Sequence, residues 1–166
     1  MRPVLDRLET ERLVLRPFAE EDAAAQHRLW TERDPRVPPH RRIDADGHPT
    51  VAEIAASLRA QCDDTGPRLL AIERADTGAF IGYCGLVFHG NGAADEPELA
   101  YELLREVHGN GYATEAAQAV VAWADAAGYS RLWATVRDWN AASRRVLDKP
   151  ARPVRSSTTW CTATAC

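Results

Sequence analysis

The stretch EVHGNGYATEAAQAVVAW, residues 106–123, is the most informative segment of the chain. Two glycines one residue apart, Gly109 and Gly111, precede a proline-free run that predicts a helix from Tyr112 to about Ala127. Glycines permit positive φ, so successive amide N–H groups can converge on an anion, and the helix N-terminus adds further N–H groups there. The segment predicts either an anion-binding turn suited to a pyrophosphate or a plain loop-to-helix turn.

The turn departs from two better-known nucleotide-binding sequences. A Walker loop needs a Gly-Lys-Ser/Thr run, which this stretch lacks. The dinucleotide fingerprint needs a third glycine and a surrounding parallel βαβ unit, and the pattern shows neither. Both fingerprints are therefore excluded.

Composition predicts the class of protein. With 166 residues, of which 45% are hydrophobic and 27% charged, the chain suits one globular domain with its own core. Its net charge of −4 gives no basic surplus for nucleic acid and, if charge selects a substrate, favours a cationic one. The first 18 residues lack an apolar run, so we expect neither a secretory signal nor a membrane span, and a cytoplasmic location. The cysteines lack metal-ligand spacing, so we expect free thiols and no metal site.

Hydrophobic periodicity and turn residues predict a mixed α/β domain in the order β-α-α-β-β-β-α-β-α. The strands are predicted at 11–18, 68–74, 79–90, 99–104 and 131–138, and the helices at 19–30, 51–62, 112–127 and 140–149. The charged, proline-rich segment 31–50 is predicted to be an exposed loop.

Residues 98–149 resemble the core of the GNAT superfamily of N-acetyltransferases. The segment HGNGYA occupies that family's Q/R-x-x-G-x-G/A acetyl-CoA motif, with His108, Gly111 and Ala113 at its first, fourth and sixth positions. The opening LETERLVLRPFAEEDA resembles the branch of ribosomal-protein Ala/Ser N-acetyltransferases and their small-molecule relatives. The resemblance implies the GNAT fold, a central, mixed, mostly antiparallel sheet flanked by helices, with a GNAT domain over 1–150.

The resemblance also implies acetyl-CoA as cosubstrate. Backbone N–H groups from Gly109 to Thr114 would hold the pyrophosphate, and the pantetheine arm would fill a gap where the strand ending at Leu104 splays from the next one. Asn140 would bond the arm, although it is equally sensible as the N-cap of the last helix. The implied cofactor-binding residues are Leu103, Leu104, His108, Gly109, Asn110, Gly111, Tyr112, Ala113, Thr114, Asn140 and Ser143.

The chemistry of acetyl transfer needs a base for the amine and a proton or hydrogen bond for the leaving sulfur. Glu98 and Glu102 alternate with apolar residues, so they share one face of a strand and are the first and second candidates for the base. The alternative is that both are solvent-facing positions. Many GNAT enzymes place a tyrosine where this chain has Leu147, so Ser143 is the substitute donor, or simply a first-turn helix serine. In that case proximity supplies the main catalytic effect.

These observations predict an acetyl-CoA-dependent N-acetyltransferase that acts on a primary amine of a small molecule or a protein N-terminus by direct attack. The alternatives are a CoA-binding GNAT-like domain with impaired or no catalysis, and a phosphate-binding regulator unrelated to acyl transfer. The acceptor and the oligomeric state stay open, a homodimer among the options. No nucleic acid or membrane partner is expected.

The tail, PARPVRSSTTWCTATAC, departs from the family pattern. Two final strands are expected there, but the composition is too poor in large apolar residues for a core strand, so residues 151–166 are interpreted as an atypical end with its strands altered or missing. Read one frame over, Trp160-Cys161 must encode Val and Cys161-Thr162 His or Tyr, and the series can spell an alternating strand. A late frameshift is the resulting hypothesis.

Overall fold

A computed structural model describes residues 2–61, 67–88, 95–149 and 159–165. Its strands are β1 Leu8–Glu9, β2 Leu13–Pro17, β3 Leu69–Arg74, β4 Phe80–Val87, β5 Glu98–Leu103, β6 Arg131–Arg137 and β7 Thr159–Ala165. Its helices are α1 Ala23–Thr31, α2 Val51–Ala60, α3 Tyr112–Ala126 and α4 Ala141–Asp148. The predicted order is confirmed, with the short β1 and the final β7 added to it.

The strands form one sheet in chain order, β1 to β7. Each neighbouring pair from β1 to β5 is antiparallel, whereas β5 pairs with β6 and β6 with β7 in parallel. The sheet is therefore mixed and mostly antiparallel, as the resemblance implied.

The main core lies between one face of the sheet and α3. Alanines and valines of α3, including Ala116, Val120 and Ala124, pack against leucines and isoleucines of the strands. The small alanines let the helix approach the sheet closely, so the strand side chains fill the space between them. On the opposite face, Leu29 of α1 packs with Tyr83 and Leu104. The two helical layers hold β4 and β5 from both sides.

The strands β5 and β6 pair at only one end. Glu98 is in register with Trp133, and the Trp133 amide donates to the Pro97 carbonyl at 2.9 Å. On its other edge β5 stays paired with β4 along its whole length, from Glu98 opposite Val87 to Leu103 opposite Gly82. The predicted splay is therefore confirmed, because β5 and β6 separate beyond Glu98.

The tail was expected to have its final strands altered or missing, and the structure describes one strand there. The backbone of Thr159–Ala165 pairs with β6 along its length, Arg131 opposite Thr159 through Arg137 opposite Ala165. Pairing uses backbone N–H and C=O groups, and β-branched threonines favour extended structure, so large apolar side chains are not required. The end of the sheet is altered rather than missing. Residues 150–158 and 166 lie outside the described residues.

Within the described ranges, none of the helices has the length and apolar character that a bilayer crossing demands.

Candidate active site

The glycine turn has the geometry that its sequence predicts. Gly109 and Gly111 have φ values of 81° and 79°, both left-handed, and α3 begins at the next residue, Tyr112. The His108 ring nitrogen Nε2 lies 2.8 Å from the Leu103 carbonyl oxygen, and the Asn110 side-chain Nδ2 donates to the Val107 carbonyl at 2.9 Å. These bonds hold the turn in place, while its helix end presents N–H groups that lack partners inside the helix.

The space in front of the turn is open. A Cβ placed on Gly109 meets no atom within 4 Å, and one placed on Gly111 meets only the end of the Arg12 side chain, at 3.5 Å. A groove runs from the first turn of α3 between α3, α4 and β5. It is lined by the largely apolar set Leu99, Thr114, Ala117, Gln118, Val121, Val146, Leu147 and Lys149.

Glu98 and Thr135 face each other where β5 and β6 separate. The Glu98 side chain is buried, and its Oε1 accepts a hydrogen bond from the Thr135 amide at 3.2 Å. Within the described residues, this amide is the only donor to that carboxylate. The Thr135 hydroxyl is buried there without a hydrogen-bond partner among the described residues. A buried hydroxyl without a partner costs free energy, so this point suits a polar ligand.

Glu102 is occupied by protein donors. Arg33 of the α1–α2 connection donates to both of its oxygens, at 2.8 Å through Nε and 2.6 Å through Nη2. The buried Tyr83 hydroxyl adds a bond to Oε2 at 2.9 Å. Glu98 and Glu102 share a strand face, but their carboxylates contact different elements. This arrangement favours a structural role for Glu102, which joins β4, β5 and the α1–α2 connection.

Asn140 and Ser143 lie at the start of α4. The Asn140 Oδ1 accepts from the Ser143 amide at 3.0 Å, so the N-cap interpretation of this residue is confirmed. The Ser143 Oγ lies 2.9 Å from the Tyr101 hydroxyl, which also donates to the Ser143 carbonyl at 3.0 Å. Burial raises the pKa of Tyr101 to about 12, although the bond to Ser143 lowers it. Tyr101 therefore links β5 to α4 across the splayed region.

Leu103 and Leu104 contribute apolar packing, and their backbone groups are bonded within the protein. Both side chains are buried, Leu103 toward α3 and Leu104 toward α1. The Leu103 carbonyl is occupied by His108, and the Leu104 amide donates to the Ile81 carbonyl at 2.9 Å.

The connection after α1 is held against the segment that precedes α4. The Arg36 guanidinium stacks on the Trp139 ring at 4.1 Å, just before α4, and Arg33 stacks on Trp30 at 4.1 Å. The predicted exposed loop thus contacts the segment between β6 and α4. No cluster of three metal-ligating side chains occurs in the part of the chain that the structure describes.

A family model, the acetyltransferase (GNAT) domain, matches residues 12–150, which include the turn, the splayed strands and α4. The chain belongs to the GNAT acetyltransferase family. A Bacillus subtilis (strain 168) relative, the uncharacterized N-acetyltransferase YoaA, is 31% identical over 144 residues, covering 86% of this GNAT chain and 80% of that protein.

Two solved structures are similar to the GNAT chain over most of its length. An acetyltransferase from Agrobacterium tumefaciens str. C58 is 27% identical, with a TM-score of 0.66 over 90% of this chain and 84% of that one. Mycobacterium smegmatis RimJ, solved in complex with CoA-disulfide, is 28% identical, with a TM-score of 0.62 over 81% and 67%. These matches are consistent with the predicted branch. GNAT acetyltransferases use acetyl-CoA.

The structure brings together some predicted residues and adds others. Of the predicted residues, Thr114 lines the groove together with Leu99 of β5, whereas Glu102 is bonded to Arg33 and Tyr83. Sequence reasoning missed Tyr101 and Thr135. Tyr101 falls in the apolar alternation of β5, where a lone hydroxyl among leucines was the available signal. Thr135 had no comparable signal, because its position depends on the splay.

Proposed function

We propose that this GNAT chain transfers the acetyl group of acetyl-CoA directly to a primary amine of a small molecule or of a protein N-terminus. The observation that carries the proposal is the separation of β5 from β6 beyond Glu98, beside a glycine turn that opens onto α3. This geometry supports the proposal, because an acyl donor between the strands would have its pyrophosphate at the turn.

Glu98 is the proposed base. When bound, acetyl-CoA supplies an acyl carbon activated as a thioester. Glu98 takes a proton from the incoming amine, either directly or through one water, as the new C–N bond forms and the C–S bond breaks. Its second oxygen is available for this step because, within the described residues, only Thr135 donates to the carboxylate. The Thr135 hydroxyl, buried beside it, offers a hydrogen bond that orients the acceptor.

Ser143 is the proposed donor to the departing sulfur. Its hydroxyl donates a hydrogen bond as negative charge develops there, and Tyr101 fixes the direction of that hydroxyl by giving its one proton to the Ser143 Oγ in place of the Ser143 carbonyl. The raised pKa of Tyr101 keeps the phenol protonated, so Tyr101 serves as a neutral hydrogen-bond donor. The thiolate takes its proton from solvent after release. Holding both reactants in line contributes the largest share of the rate.

A second candidate function is CoA binding without efficient transfer. It is favoured by Leu147, which packs against the core at the position where many family enzymes carry a tyrosine. In that case the cleft would bind the cofactor arm without a strong acid beside the sulfur.

A thiol-release assay separates the two functions. The protein is incubated with acetyl-CoA and a panel of amines that includes polyamines, amino acids, aminoglycosides and peptides with free N-termini. Transfer predicts thiol release that depends on one acceptor class, with the acetylated amine seen by mass spectrometry. Binding alone predicts thermal stabilisation by CoA without release in any arm. Stabilisation by ATP equal to that by CoA would instead support a general phosphate-binding protein.

A further inference from the structure

Arg12, in the turn between β1 and β2, reaches across the molecule to the start of α3. Its amide and its Nε donate to the two oxygens of Glu115, at 2.9 Å and 2.7 Å, and its Nη2 lies 2.7 Å from Glu115 Oε2. Its Nη1 donates to the Asn110 carbonyl at 2.9 Å, and the guanidinium stacks on the Tyr112 ring at 4.6 Å. Thr10 completes the arrangement with a bond to Glu115 Oε1 at 2.6 Å.

The bond to Asn110 determines where the turn points its amides. In a planar trans peptide the C=O and the following N–H point in opposite directions. Because Arg12 holds the Asn110 carbonyl on its own side, the Gly111 N–H points to the other side. Gly111 has no Cβ to restrict that orientation, and the nearest atom to an added Cβ is Arg12 Nη2 itself.

Glu115 makes the charge of Arg12 necessary. A carboxylate in the first turn of α3 favours the helix dipole, but it also repels an anion bound at the same helix end. Burial raises the pKa of Glu115, yet the bonds from Thr10 and Arg12 outweigh burial and lower it, so the group stays ionised. The Arg12 guanidinium is the cation that compensates this charge.

We infer that Arg12 is a positioning residue for the pyrophosphate-binding turn: it orients the peptide before Gly111 and neutralises Glu115. The inference rests on the proposed function of that turn. It assigns Arg12 to recognition of the nucleotide half of the donor, and not to the chemistry of acyl transfer.

Two acyl donors test the inference, acetyl-CoA and S-acetylpantetheine, which has the same thioester but no pyrophosphate. Arg12→Ala is expected to lower kcat/KM for acetyl-CoA about tenfold, as loss of charge-assisted hydrogen bonds does, and to change kcat/KM for S-acetylpantetheine less than about twofold. Arg7→Ala is the matched control, since Arg7 is an exposed arginine near the same turn that pairs only with Glu9 among the described residues. It should change neither value.

A second substitution isolates the charge. The double variant Arg12→Ala/Glu115→Gln should have a kcat/KM for acetyl-CoA about threefold higher than Arg12→Ala alone, because the uncompensated carboxylate is removed. Equal losses with both donors, or no loss with acetyl-CoA, would overturn the inference. If the unchanged protein transfers to no amine, the proposed transfer fails, but calorimetric titration with CoA still decides: a Kd about tenfold weaker in Arg12→Ala than in Arg7→Ala supports positioning, and equal Kd values overturn it.

Discussion

The Tyr101 hydroxyl lies 2.9 Å from the Ser143 Oγ, so a side chain of β5 is bonded to the first turn of α4. The two elements are separated in sequence by α3 and β6, and they meet beside the region where β5 leaves β6. The Tyr101 hydroxyl therefore ties α4 to β5 through both the Oγ and the carbonyl of Ser143.

Removing the Tyr101 hydroxyl should slow acyl transfer more than it weakens cofactor binding. Tyr101→Phe is expected to lower kcat about tenfold, because Ser143 loses the partner that orients its hydroxyl. KM for acetyl-CoA should change less than about threefold. Steady-state kinetics give both values.

Tyr83→Phe is the control for that substitution, since its hydroxyl bonds Glu102 instead. It should lower the free energy of unfolding by about 1 kcal/mol with little change in kcat. Equal kcat losses in the two variants would contradict the role given to Tyr101.

Changing Glu98 and Glu102 to glutamine one at a time should have different effects on kcat and on stability. Glu98→Gln is expected to lower kcat about 100-fold or more, with part of the rate recovered as rising pH deprotonates the amine acceptor. Glu102→Gln should instead lower the free energy of unfolding by about 2 kcal/mol, because it weakens the partly buried pair with Arg33. The measurements are the pH profile of kcat and urea denaturation. A larger kcat loss in Glu102→Gln would reverse the assignment of the base.

The free energy of unfolding should fall at acidic pH, because protonation of Asp22 removes a bonded carboxylate. This buried carboxylate accepts two bonds from Arg16, at 2.7 Å and 2.8 Å, and one from the Ala19 amide at 2.8 Å. Burial raises the pKa of Asp22, but these bonds outweigh burial and lower it. A pKa lower in the folded state contributes stability above the unfolded value of about 3.9, and that contribution is lost as the pH falls through the folded pKa.

Asp22→Asn should therefore lower the free energy of unfolding by about 2 kcal/mol at pH 7 and by less at pH 3. Urea denaturation at both pH values measures the difference. Asp76→Asn is the control, since Asp76 is exposed and pairs with Arg74 in a surface turn. Because the pair is exposed to solvent, the free energy of unfolding should stay close to that of the unchanged protein at both pH values. An Asp22→Asn deficit that is the same at both pH values would exclude the linkage.

The sequence predicted most of the fold because its local signals agree with one another. The glycine turn, the periodicity of α3 and the alternation in β2 to β5 each specify an element without help from distant residues. The altered tail was harder, since an edge strand can form from backbone pairing alone and leaves a weak apolar pattern.

The candidate site was predicted in part. Gly109, Gly111 and Asn140 carry their conformational roles in their residue types. The roles of Arg12, Arg33 and Thr135 cannot be read from their residue types. Their partners lie 103, 69 and 37 residues away in the chain, respectively, and meet them only in the folded protein. Glu98 and Glu102 look equivalent in a strand pattern, and only their partners distinguish them.

The turn at the start of α3 is proposed to hold the phosphates of CoA, and one titration separates this role from a purely structural one. Gly109 and Gly128 lie near opposite ends of α3 with φ values of 81° and 82°, and a Cβ on either meets no atom within 4 Å. Glutamate at either position therefore costs similar backbone strain, but only at Gly109 does it place an anion in the proposed phosphate site. Isothermal titration with CoA should show binding weakened about 100-fold or more in Gly109→Glu and nearly unchanged in Gly128→Glu. Equal affinity in the two variants would contradict the account.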